Sequence, residues 1–225
     1  MNVNSRPRMD ELQIQENLFL YPTPAGAYHA VSSPENDPAR NLLRSLFKLR
    51  SSPLLNRDTL LDHVDTGDES DVLFLLKKMQ DNGWLQGCEV AQHVPDSVLE
   101  DSLPDLLVPL SNRGAVLLAD NHGFHISHIG FDAADVEQLS ALSADVSILH
   151  ERHLSLLKNK LELNSSAWAI VDAAGNSQTG FWPMHIGAQR FVLVIGGMPR
   201  LNQPIFTSLI WALSIRYGAI NPANN

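Results

Sequence analysis

Cysteine is almost absent from this 225-residue chain. The single thiol, Cys88, excludes an internal disulfide and a zinc site made of four cysteines. Long apolar runs are missing too, since none approaches the roughly 20 residues that a membrane helix needs. The first residues also lack the apolar core of a signal peptide. We therefore expect a cytoplasmic protein with no membrane span.

Positive charge is scarce. The 16 Lys and Arg residues stand against 25 Asp and Glu residues, which gives a formal net charge of -9. This balance excludes an attraction of the whole molecule to nucleic acid or to an anionic bilayer. It does not exclude a local basic face. Hydrophobic residues make up 44% of the chain, which is enough for a folded core. The net negative charge favours a protein as the binding partner. The length of the chain favours two folded domains.

The N-terminal residues 1–37 are rich in Asn, Pro, Ser and Gly. This composition predicts an irregular arm with one or two short strands, near residues 18–21 and 28–31. The role of this arm is not indicated by any motif.

Residues 38–94 follow another pattern. Apolar residues at helical spacing predict helices over about 38–49, 58–64 and 69–82, and a strand follows over about 84–90. Three short helices before a small strand resemble a winged-helix domain. A plain three-helix packing module is the alternative.

Charge decides between these two interpretations of residues 38–94. Seven basic and eight acidic residues lie between Arg40 and Gln92. The third predicted helix opens with carboxylates at residues 68–71, at the end that normally meets bases and phosphates. Protein contact or a structural role is therefore favoured over DNA binding.

The pattern after residue 94 predicts one continuous domain over residues 97–218, with a flexible tail at 219–225. Its expected order is helix, two strands, helix, three strands, helix. The predicted bounds are helix 97–111, strands 115–120 and 124–130, helix 134–161, strands 166–172, 178–185 and 190–195, and helix 203–216. The expected fold class is α/β (α+β), with a five-stranded antiparallel sheet and a small, mostly helical N-terminal domain.

The long helix predicted at 134–161 has two usable faces. Its apolar residues step by three and four along one seam, and small residues lie on another face. One face can cover a sheet while the other meets a symmetric copy of the helix. Trp182 adjoins Phe181 and therefore faces the other way on its strand, as a possible interface anchor. The candidate interface residues are Leu142, Val146, Leu149, His153 and Trp182.

The order of elements over residues 97–218 resembles the roadblock family, also called dynein-light-chain-like. The resemblance is carried by the hairpin at 115–130, the long helix at 136–153 and the strands at 181–195. It implies a homodimer in which the five-stranded sheets and the long helices meet. It also implies a small Ras-like GTPase, or a motility or polarity protein, as partner.

Two features depart from a minimal member of that family. One is the added N-terminal unit. The other is Pro183, which lacks a donor for the strand ladder and predicts that the fourth strand of the sheet is an edge or is bulged there.

Histidines are the residues that most invite a chemical interpretation. His122, His125 and His128 cluster in sequence, but strand alternation predicts that the last two point to opposite sides. His150 and His153 share a side of the long helix, without the spacing of an HExxH zinc motif. They favour a dimer interface over a metal site.

Motifs for other chemistry are missing. The chain has no GxxxxGK[ST] or GxGxxG phosphate loop and no GxSxG nucleophile elbow. We therefore predict no catalytic, cofactor or metal residues and a protein that is not an enzyme.

These observations predict a homodimeric cytoplasmic adaptor or scaffold that binds, and in one version regulates, a small Ras-like GTPase or a polarity or motility protein. The alternative is a winged-helix transcriptional regulator that dimerises through the roadblock-like domain.

Overall fold

The computed structural model describes residues 17–56, 69–95 and 98–219. The helix predicted at 58–64 and most of the predicted tail lie outside these residues, as does the first part of the predicted arm.

In residues 17–56 and 69–95 the structure has three helices and a two-stranded sheet. Strand β1 pairs antiparallel with β2, so the predicted arm joins the unit that follows it. The elements are β1 (Phe19–Pro22), α1 (Pro24–Val31), α2 (Pro38–Leu46), α3 (Glu69–Asp81) and β2 (Leu85–Cys88).

Helix α1 corrects the prediction of an irregular arm. The segment predicted as a strand at 28–31 belongs to this helix because Thr23 caps it. The Thr23 hydroxyl accepts a hydrogen bond from the Gly26 N–H at 3.1 Å, and Pro24 occupies the first turn. Gly26 also lies so close to the Trp84 carbonyl that a Cβ there would be 2.0 Å from its oxygen. The helix is therefore fixed against the start of β2.

The C-terminal part confirms the predicted fold class and element order. Its five strands form one antiparallel sheet in the order β4-β3-β7-β6-β5. The elements are α4 (Leu99–Leu107), a 3₁₀ turn (Val108–Leu110), β3 (Ala115–Asp120), β4 (His125–Ile129), α5 (Ala133–Arg152), a π-helical turn (Ser155–Lys160), β5 (Trp168–Val171), β6 (Ser177–Ile186), β7 (Gln189–Gly196) and α6 (Pro204–Tyr217).

Helices pack on both faces of this sheet. Strand alternation sends Leu118 and Leu193 toward α4 and α6, and Leu117 and Val194 toward α5. The first cluster continues without a break into α1, α2, α3 and β2. The Trp211 indole N–H on α6 also donates to the Leu49 carbonyl at 2.7 Å. The predicted domains 38–94 and 97–218 thus share one hydrophobic core.

The long helix is shorter than predicted. Helix α5 ends at Arg152, whereas the seam predicted it to about residue 161. His153 leaves helical geometry, with φ -104 and ψ 12, and a π-helical turn follows. The interruption bends the chain back toward β5.

Helix α5 packs on the sheet through an unexpected stripe. Its buried residues are Val136, Ser140, Ser143 and Ser147, which lie on one side at steps of three and four. Each serine hydroxyl donates to a carbonyl three or four residues earlier, at 2.7 to 2.9 Å. The polar atoms are therefore satisfied inside the helix, and the small side chains let it approach the sheet closely.

Pro183 lies in the half of its strand, β6, that pairs with one neighbouring strand rather than two. Strand β6 pairs with β7 along its length, with Pro183 opposite Val192, but its pairing with β5 begins at Phe181 and runs the other way. The missing N–H thus faces the side beyond the end of β5. The predicted edge is local to this half of the strand.

The close approach of α5 predicts the cost of filling the stripe. In Ser143→Leu, a large side chain enters a fully buried position, so we expect the free energy of unfolding to fall by about 1–3 kcal/mol in urea titrations. The matched control is Glu137→Leu, which changes an exposed residue of the same helix away from Leu142 and Leu149, with a change within about 0.5 kcal/mol. Equal losses in both variants would contradict the close packing.

Candidate interaction surface

Helix α5 turns leucines outward. Because serines occupy its sheet-facing side, Leu142 is 42% exposed and Leu149 is 40% exposed. Val146 lies between them on the same flank and is half-buried against the α5 side of the core. Within the residues that the structure describes, Leu142 and Leu149 thus stay accessible to solvent.

Strand β5 extends this apolar area. It forms one edge of the sheet, and all four of its residues are exposed. Trp168 pairs with Phe181, whose side chain lies in the core beneath α5, so Trp168 and Ile170 are on the sheet face that α5 covers. The indole N–H of Trp168 donates to Nδ1 of His150 at 3.2 Å. This bond joins β5 to the helix.

We name this area the α5–β5 surface. It consists of Leu142, Val146, Leu149, Trp168 and Ile170. A surface of this kind combines a free strand edge with exposed apolar side chains, and such edges are normally paired or protected.

The structure places three of the five predicted interface residues, Leu142, Val146 and Leu149, on α5. His153 is exposed and follows directly after the last helical residue, Arg152. Trp182 lies apart, because its side chain packs with the core on the opposite sheet face and covers Gly180. The sequence predicted Trp182 as an interface anchor, whereas Trp168 is the more exposed of these two tryptophans. The alternation near residues 166–172 was visible, but nothing in it marked this strand as the edge.

The hydrogen bond between Trp168 and His150 requires a neutral imidazole. Nδ1 must carry a lone pair to accept from the indole. Partial burial lowers the pKa of His150 below its ordinary value, against the opposing effect of Glu151. The histidine is therefore neutral near pH 7.

This pairing predicts a titration. As the pH falls, protonation of His150 removes the acceptor, so the Trp168 indole N–H resonance should shift with a midpoint below 6.5. In His150→Gln, whose side chain does not titrate, that resonance should stay constant over the same pH range. A midpoint at or above 6.5 would contradict the burial of the imidazole.

The histidines of β4 correct a prediction. A register shift in the pairing of β3 with β4 sets His128 opposite Leu117 and His125 opposite Ala119, which share a face. The two rings are therefore on one side, with centroids 5.5 Å apart, rather than on opposite sides. Among the described residues, no group of three or more His, Cys, Asp and Glu side chains has the arrangement of a metal site.

The arginines of α2 are held by backbone groups. Arg40 donates to the His29 and Glu35 carbonyls at 3.0 Å. Arg44 donates to the Ala30 carbonyl at 2.9 Å and also to the Ser33 carbonyl. Both side chains therefore fix the segment between α1 and α2 and are not presented to a nucleic acid.

Comparisons with known proteins give one structural likeness to report. No family model and no curated protein matches the chain. A solved structure of Myxococcus xanthus MglB is 18% identical, and the alignment covers 56% of this chain and all of that chain with a TM-score of 0.39. The fold assignment rests on the topology of the chain itself. In the part of the chain that the structure describes, no helix is both long and apolar enough to cross a membrane.

Proposed function

We propose that this protein is a homodimeric adaptor, without an active site, in which residues 97–218 act as a roadblock-type dimerisation domain. The observation that carries the proposal is the arrangement of side chains on α5, where serines are buried and leucines are exposed. A helix that packs only on the sheet of its own chain buries its leucines against that sheet. The exposed seam is best explained by a partner.

A second copy of the chain fits the α5–β5 surface. Two β5 edges can pair antiparallel about a two-fold axis, which joins the two sheets and brings the two α5 seams together. Every contact is then made twice, and both the free strand edge and the apolar seam are covered. The support comes from the continuity of helix and edge strand, together with the family resemblance of the sequence.

The dimer has a direct test. Light scattering at tens of micromolar should give close to twice the chain mass of 24.8 kDa. In Leu149→Asp, a carboxylate at a position that is 40% exposed in one protomer leaves that protomer folded, but it would be desolvated in the dimer. We therefore expect a folded monomer.

The matched control is Val90→Asp, which changes an exposed apolar residue away from the α5–β5 surface. It should remain a dimer. A wild-type monomer, or a Leu149→Asp variant that stays dimeric, would disprove the proposed interface.

We further propose that the dimer binds, and regulates, a small Ras-like GTPase or a polarity or motility protein. The support is the resemblance of the hairpin, long helix and last strands to the roadblock family. The chain itself lacks a phosphate loop, so nucleotide chemistry would belong to the partner.

Calorimetry tests this partner class. Small Ras-like GTPases from the same genome, loaded with GDP or with a non-hydrolysable GTP analogue, should include one that binds the dimer in one nucleotide state more tightly than in the other. A change in its hydrolysis rate would establish regulation. If none binds a dimer that is folded, the GTPase assignment is lost and the dimeric scaffold stands alone.

The alternative is a winged-helix transcriptional regulator. Sequence-selective binding of duplex DNA at physiological salt in a gel shift would favour it. The bonding of Arg40 and Arg44 to backbone carbonyls supports the adaptor instead.

A further inference from the structure

The chain between α5 and β5 departs from regular backbone geometry at three places. His153 leaves helical geometry, Ser155–Lys160 form a π-helical turn, and Glu162 has a positive φ of 56°. π-helical turns are rare, and a positive φ is unfavourable for a residue with a side chain like that of glutamate. The segment 153–163 is therefore held in a strained conformation.

The sequence of this segment favours a regular helix. Residues 153–166 contain no glycine and no proline, the residues that most often end a helix. Leu154, Leu157 and Leu161 are spaced by three and four residues, as on one face of a helix. No helix-breaking residue therefore explains why α5 ends at Arg152.

Burial of side chains does not explain the break either. Leu154, Leu156, Leu161 and Leu163 are between 44% and 54% exposed, and Leu157 is half-buried. A break that carried these leucines into the core would be stabilised by the hydrophobic effect. Here most of them stay accessible to solvent, so the irregular backbone has another cause.

An ion pair ties the 153–163 segment to the N-terminal part, residues 17–56 and 69–95. Lys158 pairs with Glu35, in the chain between α1 and α2, and both side chains are partly exposed. Among the described residues, this is the one polar side-chain contact between the segment and that part. Neutral hydrogen bonds of Ser165 and Ser166 follow beyond it and are weaker in kind. Exposed ion pairs are weak and are screened by salt, so this tie can open.

The chain is long enough for α5 to continue as an α-helix through residue 161. That residue would lie about 16 Å beyond His150 along the helix axis. Trp168 contacts His150, so β5 starts beside that residue. The extended residues 162–168 span up to about 23 Å. Strand β5 can therefore keep its place in the sheet when the helix lengthens.

The 153–163 segment also forms one wall of a cavity. The cavity has a volume of about 470 Å³ and lies between the N-terminal part, the end of α5 and the ends of β6 and β7. Leu154, Lys158 and Leu163 line it from the segment. A lengthened α5 would carry Lys158 away from Glu35 and remove this wall.

We propose that the 153–163 segment is a lid, held shut by the ion pair of Lys158 with Glu35 and opened by the continuation of α5 into a longer helix. Opening relieves the left-handed conformation of Glu162, and it costs one exposed ion pair and the half-buried position of Leu157. The two states are therefore close in free energy, and a small change in charge shifts the balance between them. The lid controls access to the cavity and does not rest on the proposed adaptor function.

Double electron–electron resonance measures the opening directly. Spin labels are attached at Glu137→Cys and Asn159→Cys, both exposed positions, in a chain that also carries Cys88→Ser. Dilution into unlabelled protein isolates distances within one chain. A continuous helix sets the two positions about 33 Å apart. We expect the shorter distance of the bent form to predominate at low salt, and the longer distance to rise several-fold at about 0.5 M NaCl.

Charge variants show whether the ion pair is the latch. Glu35→Lys and Lys158→Glu each place like charges at this contact, so each should raise the population at the longer distance several-fold at low salt. The double variant restores an attractive pair with the charges exchanged and should return to the wild-type distribution. Glu100→Lys, which reverses an exposed charge on α4, is the matched control and should leave the distribution unchanged.

Four results would overturn the proposal. If the longer distance appears in no variant and at no salt concentration, α5 does not lengthen. If it predominates in the wild type at low salt, the segment is not held shut. If the double variant stays open, or if Glu100→Lys opens the segment equally, the ion pair is not the latch. None of these outcomes depends on whether the protein dimerises or binds a GTPase.

Discussion

The close packing of α5 on the sheet is the constraint from which the other features follow. Ser140, Ser143 and Ser147 are small, and their hydroxyl groups donate hydrogen bonds to backbone carbonyls of the same helix. The helix can therefore pack close to the sheet without leaving these polar atoms unpaired. Leu142 and Leu149 are then excluded from the sheet by their position on the flank. The apolar seam is thus a consequence of which residues the sheet accepts.

Much of the fold was predictable because strand alternation and helical spacing are local signals. The five strands and α6 follow the predicted order, and the turn between β3 and β4 lies between the predicted strands 115–120 and 124–130. The orientation of α5 was not predictable in the same way. Its leucine seam is the stronger periodic signal and was predicted as the candidate interface, whereas its serines have no hydrophobic period, so nothing in the sequence marked the serines as the face that packs on the sheet.

The other differences arise from effects at a distance or from a single residue. The register shift that brings His125 and His128 to one face inserts a residue, and alternation counted along the sequence cannot detect it. Trp182 and Trp168 are both aromatic residues on strands, and only the order of strands makes one internal and the other peripheral. The capping Thr23 before Pro24 was a readable signal for α1, but the same pair also suits a turn.

His150 and Glu151 connect the last turn of α5 to two strands of the sheet. The His150 ring accepts from Trp168 on the α5–β5 surface. Glu151 in turn pairs with Arg190, on the strand next to β6. The last turn of α5 therefore contacts the edge strand on one side and the junction with the N-terminal part on the other. Helix α5 ends with this turn at Arg152, so a single helical turn holds both contacts.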